Sequence, residues 1–248
     1  MSKAPHYLYL RKPTGYGHAS VIDSIQHDGL TDVYNKILMG SCVEKNVSEI
    51  GISREAQDEY SILSYQKARE AQSQGIFKHE IQLLSEVDNK GKEKQYFEDE
   101  ECKKFMPDKF AGLKPAFAKS GTITPANSSK LNDGAAALVL MSEEAAKERG
   151  LKPLARILGY DDAALAPIDF ALAPSKACDI LLKKLGMSVK DIEYHEINEA
   201  FAAVALANIK LMDLDYTRVN VFGGAVALGH PIGCSGARII VTLLNVLK

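Results

Sequence analysis

The spacing of apolar residues in the first third of the chain predicts two consecutive helices. From Thr31 the apolar side chains recur at helical intervals, which predicts an amphipathic helix to about Glu49. A second helix is expected after Ser53, a favoured N-cap residue, and Gly75 is expected to end it. Residues 1–30 are rich in proline and glycine, so we expect an extended surface loop there.

A hairpin and a charged loop are expected next. Residues 77–87 and 92–97 have strand-like patterns, and residues 88–91 between them have the composition of a turn. Residues 98–109 are charged and contain proline, which is typical of a surface loop.

Strand-like and helix-like segments alternate beyond Thr122. The expected order is strand 135–141, helix 142–149, strand 153–160, helix 174–185, strand 192–197, helix 200–212, strand 219–222 and helix 237–247. This alternation is typical of an α/β fold with a mostly parallel sheet covered by helices. The change of pattern predicts a boundary between residues 1–119 and 120–248.

Three polar motifs fall at the ends of expected elements. Asn198-Glu199-Ala200-Phe201 follows a strand, residues 127–134 form a polar loop, and the glycine-rich turn 223–236 presents His230. Ligands gather beyond the carboxyl ends of parallel strands, so we expect Asn198 and His230 to converge on one cleft. Each motif alone is more typical of capping or turn chemistry than of catalysis.

Composition narrows the class of protein. The 248 residues are 46% hydrophobic and 25% charged, with a net charge of -2, which indicates a folded globular protein without the basic surface of a nucleic-acid binder. No apolar run reaches membrane-spanning length, and residues 1–11 lack the apolar segment of a signal peptide. The four cysteines are widely spaced, which favours neither a zinc site nor a disulfide framework and predicts a reducing compartment.

The motifs together resemble the thiolase family. The matching segments are Asn198-Glu199-Ala200-Phe201, Gly223-Gly224, Gly229-His230-Pro231-Ile232-Gly233 and Leu131-Asn132-Asp133-Gly134-Ala135. Residues 28–36 are similar to the acetyl-CoA acetyltransferase type, especially the mitochondrial, potassium-dependent one. The resemblance covers essentially the whole chain, whereas the spacing of the glycines does not fit a dinucleotide-binding turn.

The resemblance implies a fold of two similar α/β halves with an inserted loop domain, usually in a homotetramer. Residues 1–119 would be the loop domain and the tail of the first half, and residues 120–248 the last strand of that half with most of the second. The reaction would be the condensation of two acetyl-CoA, or thiolysis of acetoacetyl-CoA, through an acyl-cysteine. His230 would polarise the nucleophilic thiol, and Asn198 would orient a water in the oxyanion hole.

The resemblance also implies binding residues. Those for CoA would be Tyr34, Met39, Lys104, Phe105, Met106, Lys109, Ser129 and Phe201. Those for a potassium ion would be Tyr34 and the carbonyl oxygens of Pro125, Ala126, Ser128 and Val226. The chain departs from the family pattern at Leu38, Met106 and Phe222, which weakens the expectation for CoA more than that for the family.

Neither catalytic-cysteine segment of the family finds a match in this chain, and Cys234 is expected to be a bystander beside the His230 turn. We therefore expect an internal piece of a thiolase, incomplete at both ends and inactive alone. Two alternatives stay open: a non-catalytic protein that binds CoA or joins complete subunits, and an unfolded truncation product. The resemblance favours mitochondria, with the cytoplasm or peroxisomes as alternatives, and neither nucleic acid nor membrane is an expected partner.

Overall fold

The computed structural model describes residues 1–9 and 16–248, and helices account for most of its regular structure. In this part of the chain the α-helices are α1 (Met39–Ile50), α2 (Arg54–Ser73), α3 (Glu143–Glu148), α4 (Ala173–Leu185), α5 (Ala202–Met212), α6 (Ala225–Leu228) and α7 (Ile232–Val246). The strands form antiparallel pairs: β1 (His6–Tyr7) with β2 (Ile22–Asp23), β3 (Thr31–Asp32) with β4 (Ile37–Leu38), and β5 (Leu84–Val87) with β6 (Glu93–Tyr96). Part of the loop expected over residues 1–30, residues 10–15, lies outside the described residues.

The two expected N-terminal helices are present, although the first begins later than predicted. Ser53 caps α2, since its Oγ accepts a hydrogen bond from the Ala56 amide at 3.1 Å. Helix α1 begins at Met39 because the preceding residues form the β3–β4 pair instead. Asp32 Oδ1 accepts the Tyr34 amide there at 2.9 Å, a local turn that competes with helix formation.

The expected hairpin is confirmed over a shorter length. Strands β5 and β6 pair with Ser85 opposite Gln95 across the predicted turn. The first strand does not begin at residue 77, because Ile76–His79 is a 3-10 helix whose Phe77 is buried. The expected surface loop 98–109 contains two 3-10 turns, and the first of them buries the side chain of Cys102 completely.

The strands expected in the second half of the chain are not paired into a sheet. Residues 135–141 and 153–160 form no ladder with any described residue, and Val139 is 86% exposed, so the expectation of a buried strand at 135–141 is wrong. Residues 192–197 and 219–222 meet in one parallel bridge, between His195 and Val219. A strand needs a neighbour whose backbone groups complete the ladder, and among the described residues this bridge is the only pairing that any of these four expected strands makes.

Helix α5 lies between two hydrophobic clusters and fixes the segment that precedes it. On one side, Ala202 and Ala205 pack with Tyr65 of α2 and Val226 of α6. On the other side, Val204 packs with residues of α1 and with Ile123. Because the start of α5 is held from both sides, the Asn198–Phe201 loop has a defined position. In the part of the chain that the structure describes, we find no helix with the length and apolar character of a membrane span.

Candidate active site

Asn198 and His230 lie together, as the argument from strand ends predicts. Asn198 Nδ2 is 3.4 Å from His230 Nε2, and His230 Nδ1 is 2.6 Å from Ser235 Oγ. The Ser235 hydroxyl is 3.2 Å from the Pro231 carbonyl and donates its hydrogen to it, so it accepts from Nδ1–H of His230. This arrangement leaves the lone pair on Nε2, facing the Asn198 amide.

The surroundings of the His230 imidazole favour its neutral form. Burial lowers its pKa below the ordinary value for histidine, and the positive charge of Arg238 lowers it further. A neutral ring with a free Nε2 can accept a proton from a thiol, and after accepting it can donate a hydrogen bond to an oxyanion.

The turn that presents His230 depends on glycine. Gly229 has a φ of +89°, and a Cβ at this position would collide with the side chain of Asn132. The next amide, that of His230, donates to the Lys130 carbonyl at 2.9 Å. The turn is thus fixed against the polar loop 127–134 immediately before α7 begins.

A buried carboxylate, Glu199, ties the site to helix α2. Its Oε1 accepts hydrogen bonds from the Tyr60 hydroxyl and from Asn220 Nδ2, both at 2.8 Å. Its Oε2 accepts from Ser64 Oγ at 2.8 Å and from the Val226 amide at 3.1 Å. Burial and the Glu199 charge raise the pKa of Tyr60 well above its ordinary value, so this hydroxyl remains a donor. Sequence reasoning assigned Glu199 no role; the available signal was an acidic residue beside Asn198 at the start of an apolar helix.

Two of the expected CoA-binding residues lie beside Asn198. The Ser129 amide and hydroxyl both donate to the Ala200 carbonyl, at 3.0 and 2.8 Å. Phe201 packs edge-on against Phe117 with ring centroids 6.0 Å apart. Ser129 and Phe201 therefore flank the Asn198 loop at the start of α5.

The other expected CoA-binding residues form two separate groups. Tyr34 and Met39 line a cavity of about 230 Å³ together with Pro167 and Phe170. The second group lies in the segment after β6 that contains the two 3-10 turns, and it consists of Lys104, Phe105, Met106 and Lys109.

Within this second group the residues face in different directions. The Phe105 ring stacks on Tyr65 at a centroid distance of 4.9 Å and so contributes to the core. Lys104 is exposed and pairs with the buried carboxylate of Glu101 at 2.8 Å, while Met106 and Lys109 are exposed. The two lysines and Met106 are thus available to a ligand from solvent, whereas Phe105 is largely engaged.

The residues expected to bind potassium do not fit the ion. Lys130 Nζ lies 3.2 Å from the Ser128 carbonyl oxygen and 3.4 Å from that of Val226, so an ammonium group already contacts two of the expected ligands. Tyr34 lines the separate cavity beside Met39 and is 79% exposed. Burial lowers the pKa of Lys130 to about 8, against the opposing influence of the Glu101 carboxylate. Sequence reasoning missed Lys130, although a lysine within the expected ligand loop was visible.

The cysteines make no hydrogen bond to His230 in the part of the chain that the structure describes. Burial raises the pKa of the Cys42, Cys102 and Cys178 thiols, the opposite of activation. Cys234 lines a cavity of about 390 Å³ beside the His230 turn. Among the described residues no cysteine is hydrogen-bonded to His230, and no cluster of His, Cys, Asp and Glu could hold a metal ion.

Comparisons with known proteins agree on one family. The family model "Thiolase, N-terminal domain" matches residues 1–144, and "Thiolase, C-terminal domain" matches residues 151–248. A "Probable acetyl-CoA acetyltransferase" of Dictyostelium discoideum is 51% identical over 249 residues, which cover 100% of this chain and 60% of the relative. The mitochondrial acetyl-CoA acetyltransferase of Rattus norvegicus is also 51% identical, with 58% of its length covered. The chain thus spans about 60% of the length of these curated relatives.

Solved structures give the same result for the fold. The Acat5 thiolase from Ascaris suum, crystallised in complex with coenzyme A, superposes with a TM-score of 0.94 at 47% identity. The match covers 100% of this chain and 63% of that structure. The expected thiolase-like α/β fold class is confirmed, with this chain corresponding to part of it. The chain belongs to the thiolase family.

Proposed function

We propose that this chain is the CoA-holding part of an acetyl-CoA acetyltransferase, in which His230 and Asn198 act on the thioester of acetyl-CoA or acetoacetyl-CoA. The observation that carries the proposal is the pairing of Asn198 Nδ2 with His230 Nε2. The names of the relatives support the reaction, and the solved relative with coenzyme A supports the ligand.

The chemistry proposed for this pair has two parts. The free Nε2 of His230 takes the proton of an attacking thiol, and the resulting imidazolium N–H then faces the thioester oxygen. Asn198 Nδ2 provides a donor on the same side, directly or through an oriented water. As negative charge develops on the thioester oxygen, these two groups stabilise it in a partly buried site.

The thiol of this ping-pong reaction is not expected from the cysteines described above. The raised pKa values of Cys42, Cys102 and Cys178 support their assignment as packing residues, and Cys234 remains the expected bystander. We therefore expect the 248-residue chain to show no thiolase turnover by itself.

For CoA, the proposal assigns Ser129 and Phe201 to the pantetheine arm, because they flank Asn198. The exposed lysines 104 and 109 suit the phosphates at the other end of the molecule. Tyr34 and Met39 would form part of the wall of the neighbouring cavity.

Assembly as a homotetramer belongs to the same proposal. Mitochondria remain the proposed compartment, although the names of the relatives include cytosolic as well as mitochondrial proteins.

The proposal is tested first by titrating the purified chain with CoA in a calorimeter. We expect saturable binding that Lys109→Ala weakens about three- to tenfold, as for the loss of one charge-assisted contact. Lys147→Ala, in the exposed face of α3, is the matched control and should bind CoA as the unmodified chain does. A folded chain that does not bind CoA would refute the proposal.

Turnover is measured in the same preparation. Acetoacetyl-CoA thiolysis should be absent, and mass spectrometry should find no acetylated cysteine. Turnover abolished by Cys234→Ala would overturn both the bystander assignment and the expected inactivity. CoA binding without turnover would also agree with the second candidate function, a non-catalytic CoA-binding thiolase-like protein, which the raised cysteine pKa values favour. Adding a complete thiolase subunit and looking for co-assembly tests the assembly that the proposal includes.

A further inference from the structure

The ammonium group of Lys130 lies between two backbone carbonyls that the family resemblance assigns to a potassium ion. Nζ is 3.2 Å from the Ser128 oxygen and 3.4 Å from the Val226 oxygen. It also lies 5.2 Å from the centroid of the Tyr65 ring, within the range of a cation–π contact. Two carbonyl oxygens and an aromatic face therefore offer acceptors to the N–H groups of Lys130.

The carbonyl of Val226 is held in place independently of Lys130. The amide of the same residue donates to Glu199 Oε2 at 3.1 Å, and the residue is fully buried in α6. Val226 is thus held at its N–H by a carboxylate, and its carbonyl oxygen, in the next peptide group, faces the lysine. A compact ammonium with three hydrogens satisfies such oxygens in the way that a bare monovalent cation does.

We infer that Lys130 supplies the cation of this site as a tethered ammonium, so that the chain neither binds nor needs a potassium ion between Ser128 and Val226. Because the charge is covalently attached, it is present at any salt composition. A second monovalent cation at the same carbonyls would lie next to the ammonium and be repelled by it.

Lys130 also stabilises the turn that carries His230. The Lys130 carbonyl accepts the His230 amide at 2.9 Å, while the Lys130 side chain reaches the Val226 carbonyl four residues earlier. One residue therefore contacts the glycine-rich turn at two points, Val226 and His230. In this chain a side chain therefore stabilises the turn, and no dissolved ion is needed for that.

The test is the ion dependence of thermal unfolding of the full chain. The unmodified chain should unfold at the same temperature in potassium, sodium and tetramethylammonium chloride at equal ionic strength. Lys130→Ala removes the ammonium and leaves the carbonyls, so potassium should now stabilise this variant selectively. With potassium tenfold above its Kd, mass action gives a rise of roughly 3–5 °C for a domain of this size. Equilibrium dialysis with rubidium, a potassium surrogate, should find an ion retained by the variant and none by the unmodified chain.

Lys67 provides a matched control. Its Nζ donates to the Val219 carbonyl at 3.0 Å and lies 5.5 Å from the Tyr216 ring, but it contacts none of the expected potassium ligands. Lys67→Ala should lower stability without creating a response to potassium.

Two results would overturn the inference. One is a potassium-selective stabilisation, or retained rubidium, in the unmodified chain. The other is a folded Lys130→Ala variant that responds equally to all three salts. If Lys130→Ala does not fold, equilibrium dialysis is done with the unmodified chain and with Lys130→Arg, which keeps the charge. Rubidium retained by either of these proteins would contradict the inference. Neither measurement involves CoA or turnover, so the outcome is independent of the proposed function.

Discussion

Replacing Glu199 with glutamine tests whether the buried carboxylate holds the site together. The substitution keeps the shape of the side chain and exchanges one acceptor oxygen for an NH2 group. Both carboxylate oxygens already accept two hydrogen bonds each, from Tyr60 and Asn220 on one side and from Ser64 and the Val226 amide on the other. In either orientation of the amide, one N–H donor, that of Asn220 or of Val226, therefore loses its acceptor and faces another donor, while the hydroxyl beside it must turn to accept from the new NH2 group.

The expected cost follows from these contacts. A hydrogen bond to a charged group contributes about 1.5–3 kcal/mol and a neutral one about 0.5–1.5 kcal/mol, so the loss of one charged bond and the replacement of a second by a neutral one should lower the free energy of unfolding by about 2–5 kcal/mol. That is a large part of the 5–15 kcal/mol that is typical of folded domains. The NH2 group and the N–H donor it faces cannot be rehydrated without opening the site, because Glu199 is fully buried.

Urea unfolding of the purified chain, monitored by circular dichroism, gives the measurement. Glu148→Gln is the control, because Glu148 is exposed at the end of α3, and it should change stability by less than about 0.5 kcal/mol. Tyr60→Phe removes one of the facing donors and should cost less in the Glu199→Gln background than in the unmodified chain. A loss below about 1 kcal/mol for Glu199→Gln, or strict additivity with Tyr60→Phe, would refute the reasoning.

Three further predictions concern single residues. Burial raises the pKa of Glu196 to about 8, so the folded chain keeps a proton that the unfolded chain loses, and stability should fall as pH rises from about 4.5 to 8. The free energy of unfolding, measured with urea at pH 4.5 and at pH 8, should differ by about 3–5 kcal/mol less in Glu196→Gln than in the unmodified chain. An unchanged difference would contradict this prediction. Ser235→Ala removes the acceptor for His230 Nδ1–H, and nitrogen-15 NMR should then show a mixture of imidazole tautomers where the unmodified chain shows one. Ser53→Ala should destabilise the chain by about 1 kcal/mol in the same unfolding assay, because the α2 cap is lost; no change would mean that another group satisfies the Ala56 amide.

The elements that local chemistry determines were predictable from the sequence. Helix α2 with its Ser53 cap, the β5–β6 hairpin and the Ser142-capped α3 all follow from contacts within a few residues. The meeting of Asn198 with His230 was also predictable, because both motifs follow strand-like segments of an α/β pattern. The family followed from motifs that recur at family-specific spacing.

Two kinds of feature were not predictable from the sequence: contacts between residues far apart in the chain, and strand-like segments that find no partner strand. Glu199 and Tyr60 are 139 residues apart, and no periodicity connects them. Lys130 contacts Val226 across 96 residues, so a lysine in a loop gave no sign of where its ammonium lies. Residues 135–141 have a strand's composition, but a strand also requires a paired neighbour, which a single segment cannot reveal. The boundary at residue 119 and the roles of the CoA-binding residues stay predictions.

The unpaired segments 135–141 and 153–160 have a practical consequence for the isolated chain. Val139, Leu140, Leu154 and Ile157 are each more than 60% exposed, and their backbone is not paired into a sheet. Such segments offer free amide and carbonyl groups beside apolar side chains, which is the template for strand addition between molecules. Self-association of the purified chain should therefore increase steeply with protein concentration. Aggregation at high concentration, rather than thermal unfolding, should set the conditions under which the chain stays in solution.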